Sequence, residues 1–523
     1  MASAYPDGGI PADAKTFLGH PRGLFMLFFA EMWERFSFYG MRAILVFYLT
    51  KHFLFAEQPA YAVYGAYTSL VYITPIIGGY LSDRYLGPRK AVLAGGVFIT
   101  LGHLLIALVE GPLGVRGTAL DGFYLGLALI IVGTGFLKAN ISVLVGKLYP
   151  RTDVRRDGAF SIFYMGINTG AFLGPIIVGV LGETVGWSYG FGAAGIGMAL
   201  GLVAFVLFRG ELHGVGEPPV AGRAKQAPIY AGAVAAVIMC WWLVRSQGVV
   251  GTLLVVASLV TIGYILWTAV FRLPREDRDR IFAALFLVAL SPVFWALFEQ
   301  TGSSLNVYTD QSVDRTLLGW TIPASVFQSV NPFFIIALAP LFGAFWVRLA
   351  RSNREPSAPF KFGIGLILVG AGFFALILGA PAAGLTPAIF VILLYMLHSA
   401  GELCFSPVGL SSMTRLSVAQ ITGLMMGTWF LATAGGNFLA GLIAQATGGE
   451  GAGVGRVLQV YGRIGWVSMG LGVFVLVLAP FVTRLMHLDT IGDTVDHALA
   501  GQSAVGEPAA AGLDTRGEQA PRR

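Results

Sequence analysis

Charge is what this sequence has least of. Asp, Glu, Lys and Arg make up 12% of its 523 residues, while 56% are hydrophobic; an ordinary soluble domain carries about 25% charged residues. The shortage excludes a water-soluble fold for most of the chain. Cysteine is nearly absent as well. Cys240 and Cys404 stand far apart inside apolar stretches, which excludes a disulfide framework or a thiolate metal site and leaves two buried hydrophobes. The first residues, with Asp7, Asp13 and Lys15, lack the basic, apolar and small-residue order of a cleavable signal, so targeting is expected to fall to a retained first membrane helix. No phosphate-cradling loop with its lysine and no nucleophile triad can be found, so an enzyme or an ATP-driven pump has no support. The net charge of +6 lies in short clusters between apolar runs, the pattern of positive-inside bias and not of a nucleic-acid surface.

What is present in quantity is membrane-length apolar sequence. A helix needs about 20 apolar residues to cross the bilayer hydrocarbon, and fourteen such spans recur between residues 22 and 486. Alternate loops are basic, among them Arg84, Arg89 and Lys90, then Lys147, Arg151, Arg155 and Arg156, whereas the intervening loops hold Glu57, Glu110, Asp121, Glu183, Asp310 and Asp314. Both termini are therefore expected on the cytoplasmic side. The spans divide as six, two and six. Expected segments are a cytoplasmic start at 1–21, a six-helix bundle at 22–210, a linker and accessory two-helix hairpin at 211–280, a second six-helix bundle at 281–486 and a disordered cytoplasmic tail at 487–523. An all-α integral membrane protein with two such halves is the layout of a carrier whose site lies between them.

Seven charges sit inside these spans, where each is costly enough to require a reason. Glu31, Glu34 and Arg35 share one face of the first helix by their i, i+3, i+4 spacing, with Arg42 two turns further on. Lys138, Glu299 and Glu402 come from three other helices. Such a face must line a cavity or pair with other helices. Four glutamates against three cations leaves one negative charge if all are ionised, so one carboxyl can carry a transferable proton without stranding a cation. Static ion pairs that fix helix register are the structural alternative; seven charges divided between both halves, and none in the hairpin, favour proton coupling over it.

At these residues the sequence resembles the proton-dependent oligopeptide transporter family, a branch of the major facilitator superfamily. The E-x-x-E-R signature stands at Glu31, Glu34 and Arg35, the F-Y-x-x-I-N-x-G signature runs from Phe163 to Gly170, and the loop motif G-x-L-x-D-R-x-x-G stands at Gly79, Leu81, Asp83, Arg84 and Gly87. The resemblance implies the major facilitator fold with a two-helix hairpin, fourteen transmembrane helices in all, in a bacterial inner membrane. It implies a symporter that imports di- and tripeptides with protons by alternating access, needs no cofactor beyond the coupling proton, and works as a monomer. Carried over position by position, it implies peptide contacts from Tyr39, Arg42, Tyr72, Lys138, Asn168, Asn331 and Glu402, with Trp295, Ser406 and Trp429 shaping side-chain pockets. It further implies proton coupling through Glu31, Glu34, Arg35 and Glu299, and gating pairs of Arg42 with Glu299 and of Lys138 with Glu402. The chemistry is consistent: a zwitterionic peptide offers one carboxylate and one ammonium, which Arg42 and Lys138 on one side and Glu402 on the other can hold while ignoring its side chains. Phe38 and Gly65 depart from relatives that carry Tyr and a proton-linked His there, so coupling must rest on carboxylates.

Other features have plainer readings. His103 and His398 are expected to be satisfied interior imidazoles, Gly166, Gly170 and Gly174 a close-packing stripe, and Pro292, Pro332 and Pro407 kinks. Asn140 opens an N-x-S sequon at membrane depth, where it cannot be glycosylated. A carrier of the same fold for nitrate or a peptide-like drug, and a peptide sensor that does not transport, are the rival functions.

Overall fold

The computed structural model of the chain describes residues 9–11, 14–110, 119–150, 153, 155–219, 223–381, 383–418, 421–449 and 453–488. Apart from residues 487 and 488, the expected tail at 487–523 lies outside the described residues, as does part of the 1–21 segment. Fourteen helical crossings are present among the described residues. The first six are α1 (Arg22–Phe47), α2 (Glu57–Leu81), α3 (Pro88–Glu110), α4 (Ala119–Lys147), α5 (Arg155–Val180) and α6 (Trp187–Leu207); the hairpin is α7 (Arg223–Arg245) and α8 (Gln247–Arg272). The ninth crossing is α9 (Arg275–Phe298), continued through a 3-10 turn at Glu299–Gly302 into α10 (Ser304–Ser312). After it come α11 (Val330–Arg351), α12 (Ala358–Gly379), α13 (Ala388–Leu416), α14 (Thr422–Thr447) and α15 (Val454–Leu485).

Twelve of these crossings are long and apolar enough to span a membrane by composition. The other two are long enough but more polar: α1 holds Glu31, Glu34, Arg35 and Arg42, and α14 is rich in Gly and Thr. At 1.5 Å per residue each of these 26-residue helices is about 39 Å long. Their polarity is affordable only because it is turned inward. Glu31, Glu34, Arg35 and Arg42 are 1%, 0%, 2% and 6% exposed, whereas Val255, Leu259 and Val260 of the hairpin face outward, as lipid-facing residues must.

Small residues bring the helices close. Gly170 lies so near α1 that a side-chain carbon there would strike the Met32 carbonyl, and Gly166 and Gly174 meet Phe28 and Phe36 in the same way. The glycine stripe is thus the α1–α5 contact. Gly87 has φ 72°, and its Cα faces the carbonyls of Gly216 and Glu217, so no other residue fits the turn between α2 and α3. The segment after α6, with a 3-10 turn at Arg209–Leu212, lies across the ends of the first bundle, where the Arg89 amide donates to the Gly216 carbonyl at 3.1 Å.

The hairpin leans on both halves. Its α7 packs on α4 and α2, tied by Lys90 to Gln226 at 2.8 Å and Arg245 to Asp121 at 2.9 Å; α8 packs on α14, α2 and α9. Three two-stranded pairings ornament the loops: β1 (Thr16–Phe17) with β2 (His20–Pro21), β3 (Val313–Asp314) with β6 (Thr386–Pro387), and β4 (Thr316–Leu317) with β5 (Trp320–Thr321).

The structure corrects two local expectations and places the three prolines. Pro332 stands at the start of α11, just past the 3-10 turn at Ala324–Ser329. Pro292 and Pro407 do stand inside α9 and α13. His398 meets the Val369 carbonyl at 3.1 Å through Nε2 while its Nδ1 has no partner, and neither ring nitrogen of His103 finds a partner among the described residues, so neither imidazole is fully satisfied.

Candidate functional site

Residues of α1 project their charges along one line toward the space between the two bundles. Arg35 Nε lies 2.9 Å from Glu31 and 2.6 Å from Glu34, one guanidinium shared by two carboxylates in a dry setting. Lys138, projecting from α4, lies within Coulombic reach of both glutamates. Its ammonium sits 3.9 Å from the centre of the Tyr72 ring, a cation–π contact from α2.

Two turns along α1, Arg42 crosses to the other half. Its Nη1 donates to both carboxylate oxygens of Glu299, at 2.8 and 3.1 Å. Glu299 is placed there by the break in α9, whose 3-10 turn aims it at the first bundle. Tyr64 of α2 donates to the same carboxylate at 3.3 Å. The pair is 6% and 1% exposed, so the Coulomb attraction is little screened but the desolvation cost is high.

Beside this pair, toward the end of the bundle where α1 begins, is an open cavity. The first half contributes Arg35, Tyr39, Tyr72, Lys138, Tyr164 and Asn168 to its wall, and the second contributes Asn331, Glu402 and Ser406 with Pro332 and Pro407. Asn331 Nδ2 donates to Glu402 at 3.0 Å and to Ser399 at 2.9 Å, which fixes the carboxylate from α11. A basic side chain from the first half and an acidic one from the second, lining one cavity with amides, hydroxyls and apolar carbon, make a site that offers charge of both signs. Such a site selects a short zwitterion.

Seven of the ten residues expected to touch substrate, namely Tyr39, Tyr72, Lys138, Asn168, Asn331, Glu402 and Ser406, are therefore brought to one cavity. Arg42, Trp295 and Trp429 do not line it. Arg42 is engaged by Glu299. Trp295 is packed beneath Gly436 of α14, and Trp429 lies on Gly409 among Phe362 and Phe405. Among the described residues no group of His, Cys, Asp and Glu is arranged to hold a metal. Sequence reasoning passed over Tyr64 and Tyr164. Tyr164 lies one turn before Asn168, whose Nδ2 donates to the Tyr164 carbonyl at 3.1 Å, and that spacing within the F-Y-x-x-I-N-x-G run was the signal for it.

A second polar layer closes the far end of the bundle. Lys51, beyond α1, reaches Asp310 of α10 at 2.7 Å and Glu183, beyond α5, at 3.9 Å. Glu183 in turn accepts from the Ser325 amide at 3.1 Å. Asn306 donates to the Ala43 carbonyl at 2.8 Å and Ser329 to the Phe172 carbonyl at 2.7 Å. All of these contacts join one half to the other except that of Lys51 with Glu183, so the halves are sealed at this end.

A sequence profile described as the POT family matches residues 89–452. The peptide transporter YePEPT of Yersinia enterocolitica subsp. palearctica is 38% identical over 462 residues, covering 82% of this chain and 88% of that protein. A dipeptide and tripeptide permease B of Edwardsiella piscicida is 31% identical over 493 residues, covering 92% and 99%. The crystal structure of a mutant of peptide transporter POT in complex with alafosfalin superposes with a TM-score of 0.80 at 37% identity, covering 91% of this chain and 98% of that one. With a profile match over most of the membrane region and relatives that align nearly end to end, this chain belongs to the POT family and has the major facilitator fold.

Proposed function

We propose that this protein is a proton-coupled symporter that imports di- and tripeptides by alternating access, in a bacterial inner membrane with both termini cytoplasmic. The observation that carries this reading is the charge of both signs on the cavity wall, Lys138 from one half and Glu402 from the other, with Asn168 and Asn331 on the same wall. The names of the relatives, which include a dipeptide and tripeptide permease, support the same substrate class. Glu402 receives the peptide ammonium, Lys138 its carboxylate, and the two asparagines its backbone amide and carbonyl.

With the termini cytoplasmic, the structure stands in the inward-facing state. The cavity lies on the cytoplasmic side of the pair formed by Arg42 and Glu299, and that pair, together with the Lys51 layer, forms the periplasmic seal. Protonation of Glu299, or engagement of Arg42 by a peptide carboxylate, removes the attraction across the halves and lets the seal part. Glu31 and Glu34, sharing Arg35, hold between them the proton that moves with the peptide. A monomer suffices, since each element of this scheme comes from one chain, and no cofactor takes part beyond the proton.

Uptake of a labelled dipeptide into vesicles reconstituted with the purified protein, with and without an imposed proton gradient, tests the reading. Accumulation above the equilibrium level only with the gradient is the expected result. Uptake that never passes equilibrium leaves a facilitator, and no uptake leaves a binding protein.

A further inference from the structure

Around Glu299 the structure places more than its arginine. Tyr64, fully buried on α2, donates its hydroxyl to Glu299 Oε2 at 3.3 Å, while Arg42 donates to that oxygen at 2.8 Å and to Oε1 at 3.1 Å. The carboxylate is thus held on one oxygen by two donors from two different helices of the opposite bundle. The approach is possible only because of the residue three positions on. A side-chain carbon at Gly302 would collide with the Tyr64 hydroxyl and press on its ring. Gly302 has no positive φ to explain it, so close approach by Tyr64 is what the missing side chain serves. The same 3-10 turn that carries Gly302 also carries Glu299. The other groups that reach Glu299 are Tyr39 of α1 and Tyr395 of α13. Among the described residues neither makes a hydrogen bond to it, and Tyr64 is not on the cavity wall.

We infer that Tyr64 is a positioning residue of the seal: its hydroxyl, admitted by Gly302, fixes the Glu299 carboxylate in the orientation that Arg42 grips. It acts through Glu299 and does not touch the peptide. The inference deepens the transport reading, on which its consequence for uptake rests, but its geometric content stands apart from peptide movement and is tested apart from it.

The decisive readout is the opening of the seam. Ser325 is fully buried there against Glu183, so the thiol introduced by Ser325→Cys, in a background with Cys240→Ala and Cys404→Ala, reacts with a water-soluble maleimide only when the halves part. Tyr64→Phe keeps the ring and removes one atom. It should raise the labelling rate about tenfold to a hundredfold, the effect of losing one hydrogen bond to a charged group, and Glu299→Gln should raise it at least as much. The double change should equal Glu299→Gln alone. Gly302→Ala should act like Tyr64→Phe. In vesicles Tyr64→Phe should lower the maximal rate of gradient-driven uptake while the peptide concentration at half-maximal rate stays within about twofold, a split that general loosening of the fold would not produce. Unchanged labelling in Tyr64→Phe, or increases that multiply in the double variant, would overturn the inference even if transport is normal. Wild-type vesicles without gradient-driven accumulation would instead defeat the transport reading, and the labelling cycle would still decide the place of Tyr64.

Discussion

Arg42 and Glu299 are 257 residues apart in sequence and 2.8 Å apart across the two halves. Each is the other's compensation for burial: with one removed, the survivor is a lone charge in a dry seam, a state costing about 3–5 kcal/mol. Arg42→Ala and Glu299→Gln should therefore each reduce gradient-driven uptake by tenfold or more. The double variant should be no worse than the worse single one. Losses that add fully in such a cycle, measured in one vesicle preparation, would show that the pair does not act as a unit.

Glu402 is held by Asn331 at 3.0 Å and faces the cavity. Glu402→Gln should weaken a free dipeptide about tenfold to a hundredfold, the value of a charge-assisted contact, and should leave the affinity of an amino-blocked analogue nearly unchanged. Competition binding with the two ligands side by side measures the ratio. An unchanged ratio would take the ammonium away from Glu402.

Lys51 bridges Asp310 and Glu183 at 2.7 and 3.9 Å but is itself 42% exposed along its side chain. An exposed pair contributes little on its own, about 0–1 kcal/mol. Lys51→Ala should accordingly slow uptake no more than about threefold, and the loss should shrink at high salt, where the attraction is screened. Uptake abolished at every salt concentration would make Lys51 a principal part of the seal.

What could be read from the sequence is what lipid makes expensive. Every charge inside an apolar run announced itself, so Glu31, Glu34, Arg35, Arg42, Lys138, Glu299 and Glu402 stood out before any coordinates, and the structure buries them or sets them on the cavity wall. Residues that cost nothing where they lie stayed hidden. Tyr64 is one of several tyrosines on α2, and only the partner 235 residues away distinguishes it. Glu183 and Asp310 read as loop charges that mark sidedness, and Lys51 drew no reading, because in sequence they have no neighbours that reveal a seam. The break of α9 at Glu299–Gly302 was invisible for a different reason: it holds no proline, and the turn is fixed by packing against α14, including Gln300 donating to the Ala440 carbonyl at 3.1 Å. Trp295 and Trp429 were placed by resemblance alone, and in this conformation they lie in the packed second half, off the cavity wall.

Glu31 and Glu34 divide one guanidinium, Arg35 Nε standing 2.9 Å from the first and 2.6 Å from the second. Both carboxylates are buried, and the Glu34 oxygens find no hydrogen-bond partner within the strict geometry of such bonds, so two full charges are poorly compensated by one cation. In the proposed coupling one of them holds the transported proton, with Lys138 close to both. Glu34→Gln imitates the protonated form permanently. The carrier should then still exchange labelled for unlabelled peptide across a vesicle membrane, since the loaded protein can change face, but it should fail to accumulate peptide against a gradient. Glu31→Gln should behave alike. Both assays on one preparation decide the matter. Loss of exchange together with accumulation would make the cluster a structural brace, and retention of both would remove it from the proton's path.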